Sequence, residues 1–548
     1  MNIEELLRIV KRESPWQEDQ TGSWYLKDGA LKEIIAAERK GYYEPPKSFF
    51  FLKGRFFEAI HKNPDKFGIL IIRGPRRVGK TSTLKYLIKY LIEHGYDKES
   101  FFYISLDEES LLDTLEKRRM LREFLSALID KYSVLKPIIL VLDEVTFYKG
   151  WARALKNLVD SGDIGEGVGV IATGSYSLDL SSAKSELKGR LGPLGEAVGG
   201  DLFFPTRRFV EVVESLLGSN FKDFIKKKLG KVGRRLGLLE FLGGFQDKRD
   251  VVKYDYNAKI EALLSEFYSD LHGVFEIYKY SGGYPRSFSE ALSSIRKKGE
   301  INVSDARYKD DIYDLFITDC RKFKLDEKIL QKILLQVKSP SMRIAANLDT
   351  LLVGGLKKGE LSKYIEYLEA SGLFMLIPSV SNKNDVDLDS QTIIPNGKVQ
   401  KFIVTDPAVF LSLYYCSRNI VDIYKKASSH LSKNIQELLF EAIVISHLRF
   451  LPVTRPFLNI AYVLEDDDEK KELADALVWY VNFRGEFISL PIEVKSGLNI
   501  DRRMIANKAR ELKDKYGLGR LIVVTNTEVF EITDEFIMIP IEIFLLLF

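Results

Sequence analysis

Four apolar runs, FGILII, FFYISL, PIILVL and GVGVIATG, recur between residues 67 and 174, and segments of helical period such as TSTLKYLIKYLIEHG and WARALKNLVD lie among them. Uninterrupted apolar strands alternating with amphipathic helices predict an α/β domain built on a largely parallel sheet, here over residues 48–204. That rhythm stops at about residue 205. Residues 205–324 read as helices broken by the glycine-rich turn SGGYP at 281–285. Residues 325–400 run LDEKILQKILLQV, a short helical stretch, LSKYIEYLEASG and then FMLIPSV, the order of a small helical domain ending in a hairpin, which suits a winged helix. A second α/β pattern fills 401–548: the helix NIQELLFEAIVISHL, strands DALVWYVNF and ISLPIEVKSG joined by the turn-like FRGEF, a helix NIDRRMIANKARELKDKYG and a strand RLIVVTN. Residues 1–47 are charged, weakly periodic and end in YYEPPKS, where paired prolines disfavour helix, so they read as an N-terminal arm. The final IMIPIEIFLLLF is too short to span a bilayer and is expected as a buried terminal strand.

Composition narrows this picture without changing it. The 548 residues exceed one hydrophobic core, and 45% hydrophobic with 29% charged residues suits several packed domains rather than disorder. A formal charge of +3 confines any nucleic-acid surface to a local patch. The strongest such patch is FKDFIKKKLGKVGRRL at 221–236, which reads either as a solvated helix face or as a nucleic-acid contact. Cys320 and Cys416 give neither a disulfide framework nor a zinc site, which fits a reducing cytoplasm, and no signal peptide or membrane span is read.

The first chemistry lies between the first strand and its helix, where GPRRVGKTS carries G-x-x-x-x-G-K-T. Strand before and helix after are the context a phosphate loop requires. Gly74, Pro75, Arg76, Arg77, Val78, Gly79, Lys80, Thr81 and Ser82 are then expected around the phosphates of ATP, with Lys80 on the β and γ phosphates and the Thr81 hydroxyl on Mg2+. PIILVLDEV delivers Asp143 for the hydrated Mg2+ and Glu144 to polarise the attacking water. Thr173 and Ser175, at the end of GVGVIATGS, either sense the γ-phosphate or cap the strand. Arg190 in LKGRLG is either a charge-stabilising arginine, acting within or between subunits, or half of a structural salt bridge.

These stretches, GPRRVGKTS, FYISLDEESLL, LVLDEVTFYKGWARALKNLVD, IATGSYSLDL and LKGRLG, resemble the AAA-type P-loop ATPases of archaea and bacteria. The resemblance implies that 205–324 is a helical lid carrying a Gly-Gly-aromatic-Pro turn at Gly282 to Pro285. It also implies a winged helix over 325–400 and a domain similar to PD-(D/E)xK nucleases over 401–548. It implies in addition that relatives assemble as homo-oligomers, without fixing an interface. The acidic residue of the family's P-aromatic-R-E pattern is met only loosely, by FFPTRRFVEVV.

E-x-K occurs at 186–188, 469–471 and 511–513 in polar or helical surroundings, but at 493–495 it lies in an apolar strand. With Asp475 it spells D-x17-E-x-K, the layout of a PD-(D/E)xK core, with Ala474 in place of the nominal proline. Asp475 and Glu493 are then expected as hard oxygen ligands of Mg2+ or Mn2+, with Lys495 positioning the water that attacks a phosphodiester. Glu441 of the upstream helix completes the metal shell, with Glu437 one turn earlier as the fallback. The whole reads as an ATP-hydrolysing protein acting on DNA through ATP-dependent conformational change, with a metal-dependent phosphodiester-cleaving C-terminal domain. A catalytically silent DNA- or protein-binding scaffold and a protein-remodelling ATPase stand as the alternatives.

Overall fold

The computed structural model describes residues 3–39, 43–133, 137–174, 177–228, 240–244, 256–298, 308–337, 358–381, 385–387, 392–416, 433–454, 459–465, 468–482, 485–497 and 499–546. They form two compact units, 1–205 and 206–548.

The first unit is an α/β layer structure. Its strands are β1 (Gly68–Arg73), β2 (Phe101–Ser105), β3 (Ile138–Asp143), β4 (Val168–Thr173) and β5 (Asp201–Phe203). All four pairings are parallel, in the order β2-β3-β4-β1-β5. β1, β3 and β4 are apolar on both faces because helices cover both sides. The apolar runs thus give the expected sheet, and the short β5 adds an edge that the pattern did not announce. The expected N-terminal arm is instead part of this unit. The helix Ile3–Glu13 buries Leu6, Leu7 and Val10 in the same cluster as Ile69, Phe102 and Leu140. Leu6, Leu7 and Val10 recur at helical spacing and fall on one face, so the weak period read over 1–47 as a whole does not hold for this segment. Trp16 Nε1 then donates to the Phe101 carbonyl at 3.0 Å and ties the following turn to β2.

The second unit is one eight-stranded mixed sheet with helices on both faces. After β6 (Phe374–Val380), the strands β7 (Val386–Asp387) and β8 (Thr392–Ile393) pair separately from it. β9 (Asn396–Val404), β10 (Asn459–Glu465), β11 (Asp468–Val481), β12 (Phe487–Lys495), β13 (Leu521–Thr525), β14 (Glu531–Ile532) and β15 (Phe536–Pro540) complete it in the order β14-β15-β13-β12-β11-β10-β6-β9. β10, β11 and β12 are an antiparallel meander, and β13 lies parallel to β12. The stretch 325–400 supplies the expected helices Glu327–Val337 and Lys358–Ala370 and the expected antiparallel β6–β9 pair. That pair is hydrogen-bonded through β6 to β10, so the sheet runs on across residue 401. The short helical stretch between the two helices lies outside the described residues. The helices of 205–324, among them Tyr256–Ser281, share one core with the C-terminal sheet: Phe209, Leu271 and Phe275 pack in the cluster that holds Leu439, Ile492 and Phe544. At the chain end, β15 stops at Pro540, which lacks a donor for the ladder, and Ile541–Leu545 turns into a fully buried helix rather than continuing as strand.

Candidate functional site

In a parallel sheet the C-terminal strand ends share one edge, and the loop after β1 opens there onto the helix Lys80–Glu93. Gly74 (φ +152) is required by packing, since a Cβ would stand 2.2 Å from the Phe204 carbonyl, next to the 2.7 Å bond from Phe204 N–H to the Arg73 carbonyl. Arg77 (φ 62) and Gly79 (φ 92) hold left-handed backbone through the turn. Gly79 caps the helix without a side-chain bond, so the first backbone N–H groups point to a ligand position. Lys80 is buried, and its Nζ donates to the Gly74 and Pro75 carbonyls at 2.8 and 2.9 Å. Burial pushes its ammonium down to about 8, against the pull of Glu144 and Asp143. Val78 is buried behind the loop, Arg77 is exposed, and Ser82 lies in the first helical turn.

Thr81 Oγ1 donates to Asp143 Oδ2 at 2.6 Å, so the two expected Mg2+ ligands converge, and this donor set fits a hard divalent ion. Glu144 follows in left-handed backbone (φ 52), an uncommon state for a non-glycine residue that re-aims its carboxylate. β4 lies between β1 and β3, so Thr173 ends among them, its Oγ1 buried with no hydrogen-bond partner among the described residues. Ser175 falls outside the described residues. Arg190 is not brought to this edge. Leu191 accepts the Ile69 N–H at 2.8 Å, which sets Arg190 by the start of β1, roughly 15 Å along the strand from the loop. There its Nε donates to Asp160 at 2.7 Å, a partly exposed pair, so within one chain the arginine does not reach the phosphates. Sequence reasoning missed Tyr103, whose hydroxyl donates to Asp143 Oδ2 at 2.5 Å. Only the β2-β3 pairing, which sets Ser105 beside Asp143, brings it there.

The second candidate site lies in the eight-stranded sheet. Ala476 pairs with Ile492, which places Asp475 beside Glu493 on adjacent strands, and Asp475 Oδ2 accepts the Val494 N–H at 2.6 Å. Along β12, Ile488, Leu490, Ile492 and Val494 enter one core, so Glu493 and Lys495 share the other face. That face is not solvent. Glu493 is 2% exposed; its Oε1 meets Lys495 Nζ at 2.5 Å and its Oε2 meets Lys508 of the helix Arg502–Tyr516 at 2.6 Å. Burial and then Asp475 raise its carboxyl, while Lys508 and Lys495 oppose the shift. Glu441 reaches in from the helix Lys433–Thr454. Oxygens of Glu441, Glu472 and Asp475 all lie within 4.8 Å of one another.

Glu472 had no signal in the sequence. Three apart on a regular strand, it and Asp475 would point to opposite faces, but β11 carries irregular register here: Val463 faces Ala474 and Leu464 faces Glu472, leaving Leu473 as an extra residue. Lys401, on β9, was missed as well; its buried Nζ contacts Glu441 and meets Glu472 at 2.5 Å. Burial would lower this ammonium, but the two glutamates hold it well above the ordinary lysine range. An ammonium already on two of the three clustered carboxylates does not fit a divalent ion on the same oxygens. Glu437, the fallback ligand, is outside the carboxylate cluster.

Residues 66–194 match the model of a family described as an AAA domain. This segment is an AAA-type P-loop ATPase domain. An uncharacterized protein of Methanocaldococcus jannaschii is 28% identical over 174 residues, 31% of this chain and 35% of that protein. The chain therefore spans about a third of the curated relative's length. A Walker-type ATPase of Pyrococcus abyssi is 15% identical with a TM-score of 0.29, over 66% of this chain and 94% of its own. The Aeropyrum pernix ORC1 protein in complex with DNA is 14% identical with a TM-score of 0.28, over 72% and 96%. At such TM-scores neither bears on substrate or partner. Among the described residues, no helix is long and apolar enough to cross a membrane.

Proposed function

We propose that the chain hydrolyses ATP and uses nucleotide occupancy of its ATPase domain to alter how its second unit engages DNA. The nucleotide half rests on Lys80, Thr81, Asp143 and Glu144 meeting at one sheet edge. There Lys80 exchanges its loop carbonyls for phosphate oxygens, the free N–H groups of the helix start bind the same anion, and Glu144 takes the proton of the attacking water. Mg2+, when bound by Thr81 and Asp143, neutralises charge on the β and γ phosphates. Thr173, its hydroxyl buried between the two motifs, is suited to the γ-phosphate. Arg190, paired with Asp160 within its own chain, would act in catalysis only on the loop of a neighbouring copy in a homo-oligomer.

The observation that carries the DNA half is the order helix Lys433–Thr454, β10, β11, β12, helix Arg502–Tyr516, β13, with Asp475, Glu493 and Lys495 together at its centre. This supports a PD-(D/E)xK-like unit for phosphodiester cleavage in which Lys495 holds the attacking water. Lys401 inside the carboxylate cluster favours a second reading, in which this unit engages DNA without cutting it. Supercoiled plasmid with Mg2+ or Mn2+ and ATP separates the two. Cleavage that disappears in Asp475→Ala supports the nuclease reading. Intact plasmid, with duplex binding retained at low salt, supports the second, and no binding at low salt refutes the DNA half altogether.

A further inference from the structure

Lys401 is the charged group that the proposed function leaves without a task. It stands on β9 opposite Ile377 of β6, outside the strands that carry Asp475 and Glu493. Its side chain is 1% exposed, its Nζ lies on Glu441 and Glu472, and the Tyr462 ring centroid is 5.4 Å from it. Burying a lysine this deeply is expensive without charged partners, and here the partners are two members of the three-carboxylate cluster.

A divalent ion takes carboxylate oxygens at roughly 2.0–2.6 Å, so an ion on this cluster would share lone pairs with the ammonium and stand within about 4 Å of it. Two cations at that distance in a buried site repel strongly, and only one of them is held at a time. We infer that Lys401 is a tethered cation that closes the Glu441, Glu472 and Asp475 cluster to divalent metal, and that metal enters only when this side chain is withdrawn. The inference rests on reading the centre as one built for metal, and it deepens that reading by naming what regulates it. A nuclease centre closed in this way is silent while Lys401 stays on Glu441 and Glu472.

The test is Mn2+ binding to the full-length, nucleotide-free chain, followed by the electron paramagnetic resonance of free Mn2+, with Asp143→Asn in every sample to remove the metal ligand of the ATPase domain. Without Lys401→Met, no saturable Mn2+ site is expected. Lys401→Met is expected to bind one Mn2+ at least about a hundredfold more tightly, Lys401→Arg is expected not to, and adding Glu472→Gln to Lys401→Met is expected to abolish the site. A Mn2+ site already present with Lys401 in place and lost in Asp475→Asn overturns the inference. So does a folded Lys401→Met that binds no Mn2+, which makes the cluster a structural ion pair. Should Lys401→Met and Lys401→Gln both fail to fold, Lys401→Ala and Lys401→Leu take their place, and a saturable Mn2+ site in the samples retaining Lys401 still overturns the inference. Plasmid cleavage reports separately on the nuclease reading, so the two failures are distinguishable.

Discussion

At the scale of single residues, the phosphate-loop edge makes the sharpest demands. Glu144→Gln keeps the size of the side chain but not its basicity. ATP turnover is expected to fall by at least about a hundredfold while nucleotide binding persists, as read by steady-state hydrolysis beside a binding titration. Loss of binding as well would mean that Glu144 holds the nucleotide rather than the water. Tyr103→Phe removes one donor from Asp143, and Mg2+-dependent nucleotide affinity is expected to drop about fivefold, near the net value of about 1 kcal/mol for one hydrogen bond. Affinity in EDTA is expected to be unchanged; an equal loss there would point to general disruption of β2.

His272 Nδ1 bonds the buried Glu542 carboxylate at 2.7 Å, and this bond raises the imidazole above its ordinary value, with burial opposing and Glu276 and Lys279 acting in opposite senses. A base whose pKa is raised on folding stabilises fully below its unfolded pKa and loses that contribution as pH rises through the folded value. Unfolding temperature is thus expected to decline more between about pH 6 and pH 8 in the wild type than in His272→Gln. Parallel declines would show that the pair contributes nothing.

At the scale of elements, the helix Ile3–Glu13 is expected to be essential to the first unit. Leu6→Ala and Val10→Ala should each cost about 2–4 kcal/mol in denaturant unfolding followed by ATP binding, as for large-to-small changes at buried sites. Near-zero costs would return this helix to the status of an arm. Elements also show where the sequence stops being legible. The phosphate loop and Asp143 were readable because each is a contiguous pattern fixed by one strand and its following turn. Asp475 and Glu493 were readable because strand alternation and a hairpin suffice to bring them together. Glu472 was not, because an irregularity in β11 reverses the face that alternation assigns to it. Lys401 and Lys508 come from a distant strand and a neighbouring helix, and of the two readings left open for Arg190 the structure gives the salt bridge, with Asp160, because the chain returns to the start of β1. The continuity of the sheet across residue 401 was illegible for a related reason: β6 bonds β10, a pairing between elements far apart in sequence.

At the scale of the whole molecule, a phosphate-binding edge in one unit and a carboxylate–lysine centre in the other stand in a single chain. If nucleotide in the first alters DNA engagement by the second, linkage requires DNA to alter nucleotide affinity by the same factor. Coupling between nucleotide and DNA is therefore read from the affinity of the full chain for a labelled duplex at low salt, with and without a non-hydrolysable ATP analogue, in the wild type and in Lys80→Ala. Affinities that differ with and without nucleotide in the wild type, and coincide in Lys80→Ala, are expected. Duplex binding of equal strength in all four conditions, or no binding in any, contradicts the account.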